Sequence, residues 1–193
     1  MNKQELQELS IQAHSNAKEK GFWADKLSHE HYLMLVLTEV AELVEAHRGG
    51  LYANLDELDN AIIQAKELQE YSEDWLREVY PSHFEACIKN TIADEFADIA
   101  IRLLDLSGAL GLNFERIPPC NYFRAFDRFI FTENAFALCK GLSRSNFAVE
   151  KRVLFGLNYV QNWADNEGVD LLKHIYLKME YNKSREIKHS KKY

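Results

Sequence analysis

The chain has 193 residues, 47% of them hydrophobic, with eight glycines, three prolines and a formal net charge of −7. That is enough apolar material for one domain with a sizeable core and too little for two, and the acidic balance argues against a general nucleic-acid binder. No uncharged apolar run reaches the roughly 18 residues of a membrane span, and MNKQELQELS lacks the apolar core of a signal peptide, so a cytoplasmic protein with no membrane partner is expected.

Leu, Ala, Glu and Lys dominate and β-branched runs are scarce, which predicts an all-α fold. A first helix is expected from about Lys3 to Lys20, ended by Gly21. The loop GFWADKLS follows, and Ser28 is placed to cap a second helix that runs to about His47, where Gly49 and Gly50 stop it. From Tyr52 to Glu85 a polar, weakly amphipathic stretch reads as one or two surface helices, interrupted at Pro81. The next helix is expected from Phe84 or Ile88 to Leu110, with Gly108 and Gly111 at its end, and NFERIPPC is a loop because its prolines cannot continue a helix. Residues 121–166 carry apolar positions at three- and four-residue spacing in two stretches and predict an added helical hairpin. A last helix follows from Leu171 to about Lys188.

Charge is spread unevenly along this order. Residues 173–193 hold seven Lys or Arg against two Glu, a net of +5 that leaves −12 on the rest. Residues 188–193 read as a frayed, disordered tail. Cys87, Cys120 and Cys139 are odd in number and far apart, so no disulfide framework or zinc knuckle is expected.

Two helices carry carboxylates where apolar residues prevail. At about 100° per residue, Thr38, Glu39, Glu42 and Glu45 share an arc of roughly 120° on the second helix, while leucines and valines cover most of the remainder. In IADEFADIAIRLLDLSGAL, Asp94, Glu95, Asp98, Arg102 and Asp105 repeat the design. Either stripe alone reads most simply as a solvated face. Two such helices, each with an acid pair at i, i+3, point instead to facing carboxylates that raise one another's pKa unless cations neutralise them. Oxygen-only ligands select Mg²⁺, or Mn²⁺, over zinc, and four carboxylates leave room for a pair of ions bridged by a substrate's phosphates.

Glu39-x-x-Glu42 in LTEVAELVEA, followed by Glu95-x-x-Asp98 in DEFADIAIRLLDL, resembles the ExxE…ExxD signature of the MazG-like all-α nucleoside triphosphate pyrophosphohydrolases, with which dimeric dUTPases and dCTP pyrophosphatases are grouped. EAHRGG and DIAIRLLDLSGALG extend the likeness, which covers residues 22–50 and 88–112 well and the last helix more loosely. The departures are a long linker at about 51–85 and the added segment at about 114–168. The resemblance implies a four-helix core, a homodimer or higher oligomer, and hydrolysis of a nucleoside triphosphate between its α and β phosphates. Glu39, Glu42, Glu95 and Asp98 would hold Mg²⁺, with Glu42 or Glu39 accepting the proton of the attacking water. Lys178, Asn182 and Arg185, at i, i+4, i+7 on the last helix, would grip phosphates.

Phe22, Trp23 and Tyr32 precede the first motif helix and offer rings to stack on the base, with the sealing of the core as the equal alternative. His29 and His31 read as surface or capping residues. Two other classes compete: a helical interaction module without catalysis that docks through the 121–165 hairpin, and a ferritin-like di-iron protein. The second needs two ExxH pairs, and only Glu186-x-x-His189 fits.

Overall fold

The computed structural model describes residues 1–116 and 125–186, and they are all-helical. Cys120, the Pro118–Pro119 pair and the tail expected at 188–193 lie outside the described residues. Nine α-helices occur within them: α1 (Lys3–Glu19), α2 (His29–Gly49), α3 (Leu55–Glu67), α4 (Glu73–Glu78), α5 (Tyr80–Cys87), α6 (Ile92–Ala109), α7 (Phe131–Leu142), α8 (Val149–Asn166) and α9 (Leu171–Ser184). None of them is long and apolar enough to cross a membrane.

The helix ends follow local chemistry. Asn2 and Glu5 form a reciprocal capping box at α1, with Glu5 N–H donating to Asn2 Oδ1 at 2.9 Å and Asn2 N–H to Glu5 Oε2 at 2.7 Å. Ser28 caps α2 by accepting from His31 N–H at 3.3 Å, and Gly50 closes that helix with φ 63°, a left-handed conformation that costs glycine little. Three boundaries differ from expectation. Pro81 does not interrupt a helix; it sits in the first turn of α5, where a missing N–H leaves no bond unmade. The helix α6 starts only at Ile92, because Asn90 turns left-handed (φ 61°) and Thr91 then caps. The last helix, α9, ends at Ser184, where about Lys188 was expected. The end of α6 falls as expected, at Ala109 with Gly111 left-handed (φ 64°) just beyond, and at Gly108 in its last turn a Cβ would stand 2.6 Å from Ser10 O and from His14 Cβ.

That close approach belongs to the packing of α6, which runs through the middle of the fold against α1, α2, α8 and α9. Phe96, Ile99, Leu103 and Leu104 of α6 are fully buried in the main core. The hairpin α7–α8 covers one flank: Trp163 meets Phe96 edge-on at 5.1 Å and Phe131 at 4.6 Å, and Tyr159 donates to Asn134 O at 2.9 Å.

The 51–85 stretch holds three helices instead of one or two surface ones, with a small core of their own. Leu58, Trp75, Tyr80 and Phe84 cluster around Tyr181 of α9. Phe84 stacks on the Tyr181 ring at 4.5 Å, and Tyr80 donates its hydroxyl hydrogen to Leu177 O at 2.9 Å. The final helix is therefore fastened on both sides, to α6 and to this satellite.

Candidate functional site

The stripes of α2 and α6 face each other across a cavity of about 430 Å³, closed by α1 and α9. Burial on α2 and α6 follows from the wide apolar arcs: with most of each helix packed, the carboxylates are enclosed as well. Glu39 is 4% exposed, Glu95 3% and Asp94 1%, whereas Glu42 stands exposed at the rim. One carboxylate oxygen each from Glu39, Glu42 and Glu95 fall within 4.8 Å of one another.

Each enclosed acid has a different solution to its charge. Glu39 is met by Arg102, one turn beyond Asp98 on α6, whose Nε donates to Glu39 Oε1 at 2.5 Å and whose terminal nitrogen pairs with the same oxygen. Burial still pushes the Glu39 carboxyl up, with Arg102 working against it. Asp94 is chelated by Lys178, Nζ lying 2.8 Å from Oδ1 and 2.9 Å from Oδ2, and its Oδ2 also accepts from Asn90 N–H at 2.9 Å. Burial, then the nearby Asp98 charge, lifts Asp94 to about 6. The same ammonium reaches Asp98 Oδ2 at 2.7 Å. Burial alone would lower the Lys178 pKa, but Asp98 and Asp94 together raise it.

Glu95 has no such counterion. Its Oε2 is buried without a hydrogen-bond partner. Burial, followed by the charges of Asp98 and Asp94, raises this carboxyl to about 9. An orphaned carboxylate oxygen beside two converging carboxylates, with no sulfur or imidazole in the group, suits a hard divalent cation.

The structure brings the four expected acids to one cavity but splits them. Glu39, Glu42 and Glu95 form the converging set, and Asp98 is tied to Lys178. Lys178, Asn182 and Arg185 do line the cavity together. Lys178, however, is engaged by Asp94 and Asp98 instead of standing free for a phosphate, because two enclosed carboxylates outcompete solvent for its charge. Arg185 lies over the Tyr181 ring at 5.6 Å and approaches Asn182 Oδ1 at 3.5 Å. Lys20 and Lys89 complete a cationic rim. Lys20, read from sequence only as part of a helix C-terminus, donates to the carbonyls of Lys183 and Arg185 and so ties α1 to the end of α9.

At the other end of the cavity the aromatic expectation divides. Phe22 and Tyr32 line the space; Trp23 does not. It stacks on Tyr32 at 4.0 Å and donates Nε1–H to Asp105 at 2.9 and 3.1 Å, so it forms the wall behind Tyr32. Asp105, which the sequence placed on the acidic arc without a role, lies in this wall, raised to about 6 by burial although His14, at 2.8 Å, and Trp23 oppose the shift. His31 also lines the cavity. Asp94, Arg102 and Asp105 were visible as arc members, but their partners, 63 to 91 positions away, were not.

Family models, curated proteins and solved structures give no match to this chain.

Proposed function

We propose that the chain is a Mg²⁺-dependent nucleoside triphosphate pyrophosphohydrolase, cleaving the α–β phosphate bond to release a nucleoside monophosphate and pyrophosphate, with Mn²⁺ as the substitute ion. The observation that carries this reading is the buried, partnerless Glu95 Oε2 beside Glu39 and Glu42. When bound, Mg²⁺ neutralises phosphate charge and activates water for attack. The rest is assigned to the chain. Glu39 and Glu95 would hold the ion, while Arg102 fixes the Glu39 carboxylate in place. Asp98 is oriented by Lys178. Glu42, the exposed member of the set, would accept a proton from the attacking water in place of binding the ion directly. Arg185 and Lys89 attract the departing pyrophosphate, Arg185 with a guanidinium fork that matches two oxygens at once. Phe22 and Tyr32 offer the base an apolar wall.

A panel of ribo- and deoxyribonucleoside triphosphates with Mg²⁺ tests this. The expected products are monophosphate and pyrophosphate, and Glu42→Gln should reduce the rate at least about 100-fold with the helical content unchanged. No turnover across the panel with either metal would leave a helical interaction module in its place. Diphosphate and phosphate as products would keep a hydrolase but overturn the bond assignment.

A further inference from the structure

Lys178 is an ammonium with no hydrogen to spare. It is 5% exposed, and its Nζ lies 2.8 and 2.9 Å from the two oxygens of Asp94 and 2.7 Å from Asp98 Oδ2. A lysine ammonium carries three N–H donors, and these three oxygens take all of them. The same Nζ lies over the Phe84 ring at 5.6 Å and the Tyr181 ring at 5.9 Å, which favour a positive charge at their faces. Phe84 belongs to α5 and stacks on Tyr181 of α9, so the satellite beside α9 helps to hold the ammonium where it is.

The acids around it explain why a fixed cation is needed. Asp94 and Asp98 stand one turn apart on the same face of α6, where like charges repel, and their side chains are only 1% and 22% exposed. Carboxylate oxygens from two residues gathered on one enclosed positive centre are the arrangement a hard divalent ion would otherwise create. The three acids that converge nearby are balanced differently. Glu39 carries Arg102, whereas Glu42 and Glu95 have no basic partner among the described residues. Their two charges are what one divalent ion balances.

We infer that Lys178 Nζ takes the place of a second divalent ion: the cavity holds one ion, at Glu39 and Glu95, and Asp98 serves the lysine instead of the metal. This inference rests on the divalent site proposed above and fixes the number of ions in it.

Mn²⁺ added alone to the full chain and followed by electron paramagnetic resonance tests it. Two ions sharing carboxylates lie about 3.5–4 Å apart and couple magnetically, which a single ion cannot do. The wild type is expected to stay uncoupled up to saturation. Glu95→Gln should weaken Mn²⁺ binding at least about 10-fold, and Asp98→Asn should weaken it less. Lys178→Met keeps the apolar stem but frees Asp94 and Asp98, so a second ion and a coupled spectrum should appear; adding Asp98→Asn to that variant should abolish the coupling. A coupled spectrum in the wild type overturns the inference, as does an equal loss of affinity in Asp98→Asn and Glu95→Gln, which would place Asp98 on the metal. A Lys178→Met chain of unchanged helical content that stays uncoupled overturns it too. Should that variant lose its helices, the wild-type, Glu95→Gln and Asp98→Asn measurements decide alone. A wild type that binds no Mn²⁺ removes the divalent site and the proposed hydrolase with it, an outcome distinct from all of these.

Discussion

At neutral pH a carboxyl raised to about 9 is protonated, so Glu95 sits in the metal-free fold as a neutral acid. Its pKa in the fold lies above its ordinary value of 4.5. The folded state therefore binds the extra proton, and the stability this contributes is complete below about 4.5 and drains away as pH rises through 9. Asp94 and Asp105, both lifted to about 6 from 3.8, act in the same direction over a lower window. His174, buried and held down at about 4 by desolvation, opposes them, since below 6.5 the unfolded chain takes up a proton that the fold excludes until about 4. In the presence of a chelator the melting temperature should thus fall from about pH 7, where His174 is already neutral, to about pH 9. Glu95→Gln should flatten that fall. Added Mg²⁺ must expel the Glu95 proton, so it should bind more tightly and raise the melting temperature more at the alkaline end. Calorimetry in two buffers of different ionisation enthalpy reads the released proton directly; heats identical in both would remove Glu95 from the ligand set.

Among the elements, α6 shows what the sequence discloses and what it withholds. Its acidic arc and apolar remainder were legible from period alone, as were the caps at Ser28 and Gly50 on α2, because these depend on neighbours within a few residues. Its start was not legible: a helix reaching back to Ile88 satisfies the same periodicity, and only the left-handed Asn90 together with the Thr91 cap moves the boundary to Ile92. The end of α6 was legible from its glycines, but the packing role of Gly108 was not. A glycine near a helix end looks like a terminator, but its bare Cα here is what lets α1 lie against α6. Gly108→Ala would drive a methyl into the Ser10 carbonyl, a backbone atom with little room to retreat. It should cost about 1–3 kcal/mol, read as a lower denaturant midpoint with an unchanged slope. An unaffected midpoint would mean that α1 can slide outward freely. The aromatic loop before α2 was half legible: composition marked it as a place for rings, but which ring faces the cavity depends on Trp23 reaching Asp105, 82 positions away.

For the molecule as a whole, the pairing of Lys178 with Asp94 and Asp98 has a consequence in time. A ribosome delivers residues in order, so α6 emerges with its acids long before α9 supplies the ammonium that balances two of them, and before Tyr181 and Leu177 reach the satellite of α3, α4 and α5. Until then the nascent chain can assemble α1, α2 and α6 only around uncompensated charge, and cooperative closure waits for α9 to clear the exit tunnel. A chain cut before Leu171 should accordingly keep substantial helix by circular dichroism yet lose a sharp melting transition, while the same chain mixed with a synthetic 171–193 peptide should regain one. If the shortened chain melts as sharply as the full one, the order of delivery is immaterial to this fold.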